Sequence, residues 1–234
     1  MMSSEPFAEL AVRSHFSFLE GSASPRDLVE VAARLEIGSL GLCDRNGLYG
    51  AVGFIEAARK AGIRPVVGVE LDLVDAGRIR LLARGRRGYR QLCRAISAAQ
   101  LAGVKGQPRL RIAGLTDRSE APPLRLRRQR PTIPPPSRPQ ALRPTSGPFP
   151  EGWPSLPSVR DRVESPPAVV DPQDLDDCIA LTGGPESAVV AALVAGDRRG
   201  AQRLAERLRE CFGRDRAALL ITNHRHPADR WLAA

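Results

Sequence analysis

The chain reads as an α/β protein with a long irregular insertion, and three observations point there. Short apolar runs alternate with amphipathic stretches through the first hundred residues, the rhythm of βα units. A helix start is spelled out at Ser24-Pro-Arg-Asp27, with an N-cap serine, proline at the first helical position and an acid at the third. Sixteen of the 21 prolines fall between Pro108 and Pro172, where a residue without an amide donor and with a fixed φ supports neither ladder nor helix.

The elements follow in order. Glu9–Val12 is a candidate first strand, and the helix opened at Ser24 carries Leu28, Val31, Ala32 and Leu35 on one face before Gly38 closes it. Ser39–Cys43 is the second strand; Gly50–Ala61 is the second helix, with Val52, Ile55 and Ala58 inward. Pro65–Val74 and Arg78–Ala83 read as strands around an Ala76-Gly77 turn, and Arg87–Ala102 is a helix through Tyr89, Leu92, Ile96 and Leu101. Beyond the proline-rich stretch, Cys178–Thr182 reads as a strand. Gly183-Gly-Pro-Glu-Ser187 then starts a helix through Val194, Ala201–Phe212 is another helix, and Ala217–Thr222 is a strand.

Residues 115 to 170 form the expected insertion, disordered or polyproline-like. The +9 net charge is concentrated there: between Lys105 and Arg160 eleven Lys and Arg face three acids, Asp117, Glu120 and Glu151. The stretch reads as a solvated basic linker; a DNA-binding arm through Arg125, Arg127, Arg128 and Arg130 and a frameshifted stretch of translation are alternatives. The remainder is nearly neutral, so the folded part offers little sign of a nucleic-acid groove.

Cys43, Cys93, Cys178 and Cys211 lie far apart without a CxxC pair, against a zinc ribbon or a disulfide framework. Four reduced, packed thiols are expected. Met1-Met-Ser-Ser-Glu-Pro6 has neither a basic n-region nor an apolar run, and no window of about 18 uncharged apolar residues occurs, so a cytoplasmic chain without membrane contact is expected.

Three segments carry a family resemblance. Phe7-Ala-Glu-Leu-Ala-Val-Arg-Ser-His-Phe-Ser-Phe-Leu-Glu-Gly21, Leu42-Cys-Asp-Arg-Asn-Gly-Leu-Tyr-Gly50 and Gly68-Val-Glu-Leu71 together resemble the PHP domain (polymerase and histidinol phosphatase) of bacterial C-family DNA polymerase α subunits. The error-prone translesion branch is the most similar. Leu81-Leu-Ala-Arg-Gly-Arg-Arg-Gly-Tyr89, Arg94-Ala-Ile-Ser97, Leu181-Thr-Gly183 and Phe212-Gly-Arg214 look like stretches that follow in the same order.

The resemblance implies a partial, distorted (β/α) barrel interrupted by the insertion. It would comprise a tail at 1–6, a first part at 7–114, the insertion at 115–170 and a truncated continuation at 171–234. A family member would continue through the rest of the barrel and then the palm, thumb and fingers, so the polymerase core of the same subunit is the implied partner. DNA and other translesion-synthesis proteins are further candidates.

Active members gather divalent metal ions with a His-x-His pair, an Asp-His pair and a Glu. In this chain the resemblance puts Ala11 and Arg13 at the two histidine positions, keeps Asp44, puts Arg45 at the next histidine and keeps Glu70. Asp44 and Glu70 are thus vestigial ligands. A guanidinium facing a dication at about 4 Å in a semi-buried site is repelled by about 8 kcal/mol. Two would cancel most of the roughly 10–16 kcal/mol of a four-ligand zinc site.

The expectation is no metal cofactor, with Arg13 or Arg45 paired to Asp44 or Glu70 instead. His15 reads as a surface or packing histidine, and His224-Arg-His226 as a loop before Pro227. Gly47, Gly50 and Gly68 read as turn and close-packing positions, not a phosphate cradle.

The palm carboxylates of the family lie beyond this stretch, so the resemblance implies a non-catalytic platform within a DNA polymerase subunit. The competing readings are a PHP-type metallophosphoesterase or 3′–5′ exonuclease, and a free-standing module binding nucleic acid through Arg118 to Arg143.

Overall fold

A computed structural model describes residues 7–116, 166–184 and 186–220. Within them a curled mixed sheet carries helices on its outer side. The elements run β1 (Ala8–Val12), α1 (Pro25–Arg34), β2 (Ser39–Arg45), α2 (Ala51–Lys60), β3 (Arg64–Leu73), β4 (Gly77–Ala83), α3 (Gly85–Leu101) and β5 (Leu110–Ile112). After the undescribed stretch come β6 (Ala168–Val170), β7 (Cys178–Gly183), α4 (Ala188–Val194), α5 (Arg198–Phe212) and β8 (Ala217–Leu220).

The main path of the sheet is β1-β2-β3-β4-β7-β8, with β5 beside the end of β3 and β6 beside β5. β1, β2 and β3 are parallel, as are β5 with β6 and β7 with β8, while β4 is antiparallel to both neighbours. This is the expected α/β half-barrel.

The capping box at α1 forms as its residues dictate: the Ser24 hydroxyl accepts from the Asp27 amide, and the Asp27 carboxylate accepts from the Ser24 amide. The buried faces are rotated from those expected. On α1 the inward residues are Pro25, Val29 and Ala32, leaving Val31 and Leu35 exposed; on α2 they are Ala51, Phe54 and Ala58, leaving Val52 exposed. Phe54 supplies the reason, since a fully buried aromatic ring sets how α2 sits against Leu40 and Leu42. Leu101 is likewise exposed at the end of α3, whereas Leu92, Ala95 and Ala99 face the core.

The stretch expected as insertion is shorter at both ends. Leu115 is buried in the main core, and Ala168–Val170 forms β6, paired in parallel with Leu110–Ile112. Each strand is three residues long, too short for alternation to announce it. Val170 joins Leu110, Ile112, Leu175, Cys178, Ala180, Leu208 and Phe212 in one core with Val69, Leu71, Ile79, Leu81 and Leu92. Residues on both sides of the insertion therefore share a single core.

Glycine is required at two places that position the site. At Gly68 a Cβ would lie 2.5 Å from Cys43 Sγ and 2.7 Å from Leu82 Cδ2, so the inner faces of β2, β3 and β4 can approach only with a bare α-carbon. Gly77, at φ +69°, makes the turn between β3 and β4, and a Cβ there would lie 2.5 Å from the Glu186 carbonyl oxygen.

Candidate functional site: a guanidinium–carboxylate cluster at the strand ends

The inner face of the sheet changes character along its length. Toward one end Cys43, Leu82 and Leu181 are buried with Leu10, Val66, Ile179 and Leu220 against them. Toward the C-terminal ends of β1, β2 and β3 it is ionic. Register explains the grouping: Arg45 stands beside Glu70, Glu70 faces Arg80, and Asp72 faces Arg78. Side chains alternate along a strand, so Arg45, Glu70, Asp72, Arg78 and Arg80 share one face.

Glu70 is 1% exposed and surrounded by arginines. Its Oε1 is 2.7 Å from Arg13 Nη2 and 2.6 Å from Arg80 Nη2; its Oε2 is 3.4 Å from Arg78 Nη1. Arg78 is the hub. It makes a bidentate pair with Glu20, both N–O distances being 2.8 Å, donates from Nε to Asp72 Oδ1 at 2.9 Å and also pairs with Glu186. Arg45 donates to Asp72 Oδ2 at 2.9 Å and to Glu20 Oε1 at 3.0 Å, and the Asn46 side-chain amide completes the cradle of Asp72 at 2.7 Å.

The electrostatics follow. Burial opposes the charged form of Glu20, but the hydrogen bonds and charge of Arg78, helped by Arg45 and Arg13, prevail and hold its carboxyl below the usual range. Burial likewise opposes the Asp72 carboxylate, and Arg45, Asn46 and Arg78 hold it low. The same carboxylates push the Arg78 guanidinium up against its own desolvation. Burial pushes the Cys43 thiol up to about 12, so it is a packed, protonated group.

Asp44 lies apart from this cluster. It pairs in register with Val69, one position off Glu70, so alternation turns it to the opposite face. There it accepts from the Ser14 amide at 2.8 Å, the Ser14 hydroxyl at 2.7 Å and the Ser17 hydroxyl at 2.7 Å. The Ser17 oxygen in turn accepts from the Arg45 amide at 3.0 Å. Asp44 thereby fastens the β1–α1 loop to the end of β2.

Of the pairings that the sequence left open, one forms and the others do not. Asp44 lies on the opposite face from Glu70 and has serine partners in place of arginine. The pairing of Arg13 with Glu70 is as expected, whereas Arg45 goes to Asp72 and Glu20. Ala11 brings no polar side chain, and its amide donates to Glu9 Oε1 at 3.0 Å beside an irregularity in the β1–β2 register. His15 is an exposed ring edge-on to Phe16, centroids 4.5 Å apart. Arg125, Arg127, Arg128 and Arg130, and His224 and His226, lie outside the described residues.

Glu20, Asp72, Arg78, Arg80, Ser14 and Ser17 were not singled out from sequence. A signal for three of them exists: Asp72, Arg78 and Arg80 stand in Glu70-x-Asp72 and Arg78-x-Arg80, which alternate on either side of the Ala76-Gly77 turn and which an antiparallel hairpin brings face to face.

The residues present do not fit a divalent cation. Both oxygens of Glu70 are engaged by guanidinium groups, both oxygens of Asp44 by serine donors, and the positions beside Glu70 hold fixed positive charge. Among the described residues no group of three or more His, Cys, Asp or Glu side chains could hold a metal ion. No helix among them is long and apolar enough to cross a membrane.

Residues 9–124 match the PHP domain family. The chain thus carries a PHP domain. It is similar to error-prone DNA polymerases: 47% identical over 126 residues to that of Mycolicibacterium paratuberculosis, covering 49% of this chain and 12% of that protein. The figures for Mycobacterium tuberculosis are 46% over 126 residues, 49% and 12%; for Corynebacterium diphtheriae they are 45% over 103 residues, 44% and 10%. The chain therefore spans about an eighth of the length of the first of these relatives. Among solved structures, a putative metal-dependent phosphoesterase from Bifidobacterium adolescentis is similar at a TM-score of 0.35 and 21% identity, over 43% of this chain and 36% of that one.

Proposed function

We propose that this chain is the PHP-domain portion of a cytoplasmic error-prone DNA polymerase α subunit and serves there as a metal-independent, non-catalytic platform for the polymerase core. The observation that carries this reading is the occupation of Glu70 by Arg13, Arg78 and Arg80. In a metal-binding member of the fold a cation would join the strand ends. Here charge-assisted hydrogen bonds between guanidinium and carboxylate join β1, β3 and β4 directly.

Such a cluster orders the rim of the barrel without an activated water, so it supplies rigidity and no nucleophile. The similarity to error-prone polymerases supports the parent activity, DNA synthesis during repair, with the chemistry residing elsewhere in the subunit.

The test is metal content and hydrolysis together. Purified protein, dialysed against buffer with micromolar zinc, manganese or iron, is expected to hold far less than one equivalent by elemental analysis. It is also expected to release nothing from a phosphate monoester or a DNA 3′ end. Stoichiometric metal with hydrolysis lost on Glu70→Gln would replace this reading with the metallophosphoesterase one.

A further inference from the structure

The loop from β1 to α1 is fixed from beneath and apolar on top. Ser14 and Ser17 are buried on Asp44, and Glu20 is gripped by Arg78, Arg45 and Arg13. Between these anchors Phe18 and Leu19 are 81% and 87% exposed, and Leu19 is held at φ +65°, a conformation unfavourable for a side chain of its kind. Phe16, on the same loop, lies over Gly50 with its ring 6.2 Å from that of Tyr49, which is 73% exposed on the loop leaving β2. Single exposed apolar residues are ordinary. Four large ones on two adjoining loops, one of them fastened by buried hydrogen bonds and ion pairs, form a patch that water does not favour.

The charges around the patch select its partner. Arg13, Arg45, Arg78 and Arg80 are all engaged by carboxylates, and Glu20, Asp44, Glu70, Asp72 and Glu186 outnumber them. A nucleic acid stacking its bases on these rings would find no uncommitted cation of the cluster for its phosphates and a small excess of negative charge. A protein surface with an apolar centre and a neutral or weakly basic margin matches in both respects. In the relatives above the matching stretch is only 12% of the subunit, so the remainder of such a subunit is the candidate occupant.

We infer that Phe16, Phe18, Leu19 and Tyr49 are the face by which this domain docks on the polymerase core of its subunit. The inference rests on the platform reading and adds the surface to it. The charged cluster beneath then has a second task, holding a loop rigid so that little order is lost on docking.

The test uses the whole 234-residue chain against one probe, the Mycobacterium tuberculosis error-prone DNA polymerase with its own matching stretch deleted. Binding is followed by biolayer interferometry and folding by thermal melting. Phe18→Ser with Leu19→Ser is expected to weaken binding at least tenfold at unchanged melting temperature, and Tyr49→Ser, on the other loop, to weaken it severalfold. Val31→Ser with Leu35→Ser, on the exposed face of α1, is expected to bind as the unaltered chain does. Loss of binding in the α1 variant with full binding in the loop variants overturns this surface and leaves the platform standing. No binding by the unaltered chain overturns both. Self-association, or binding to an oligothymidylate, that disappears with Phe18→Ser and Leu19→Ser would assign the patch to a second copy or to DNA and overturn the inference.

Discussion

Arg80 and Glu70 face one another across the antiparallel β3–β4 ladder, Nη2 2.6 Å from Oε1, and both are almost fully buried. A buried ion pair contributes little over a well-packed apolar pair, because desolvation offsets most of the attraction. Removing one partner alone is far more damaging, since the other charge is stranded. Glu70→Gln takes from the buried Arg80 guanidinium its carboxylate partner and leaves Arg13 only Glu20, and it is expected to destabilise the domain by about 3–5 kcal/mol in urea denaturation. A loss below about 1 kcal/mol would show that the cluster is not what joins the strands.

The acid limb of stability is set by Glu20 and Asp72. Both carboxyls are held below their ordinary values in the folded chain, so they bind protons more readily when unfolded. Their stabilisation is complete above the unfolded values of about 4.3 and 3.9 and is lost as pH falls through the lower folded values. Melting temperature measured against pH should therefore change little on their account between neutrality and about pH 5 and drop below about pH 4. In Glu20→Gln with Asp72→Asn that drop is expected to be shallower.

Ser17 joins two structures through one hydroxyl, donating to Asp44 and accepting from the Arg45 amide. Ser17→Ala leaves a buried carboxylate short of a donor and a backbone amide without that acceptor. The expected loss is about 1–3 kcal/mol, with faster hydrogen exchange confined to the 13–24 loop. Uniform exchange across the sheet would refute the anchoring role.

Gly68→Ala places a methyl group 2.5 Å from Cys43 Sγ and 2.9 Å from the Leu81 carbonyl oxygen. Overpacking of this kind costs about 1–3 kcal/mol. Adding Cys43→Ala is expected to recover part of it, because the sulfur is the nearest clash and the Leu81 carbonyl cannot retreat. A double variant no better than Gly68→Ala would place the strain on the backbone.

The sequence was most legible where local chemistry acts alone. Ser24 and Asp27 cap α1 as their spacing dictates, and the Gly77 turn brings β3 onto β4. Helix faces were read less well: Val31 and Leu35 carry the right period but point outward, because the face a helix buries is chosen by what it meets, here Phe54. β5 and β6 were missed because three residues have no period.

In the site, the substituted positions Arg13 and Arg45 were legible through the family frame. Their partners were not, since Glu20, Asp72, Arg78 and Arg80 meet only through sheet register. Asp44 and Glu70 were named together as vestigial ligands through the same frame, and alternation turns them to opposite faces.

β4 has a consequence for the order of events in synthesis. One of its flanks is paired to β3 within the same hairpin, while the other waits for β7, where Arg80 meets Leu181 roughly a hundred residues later. Until that later chain emerges, an antiparallel strand bearing Ile79 and Leu81 keeps an open ladder. Pairing across so long a separation is slow. The nascent domain therefore passes through an interval in which its middle strand is a template for any strand that comes near, and prompt delivery of β7 is what protects it from aggregation.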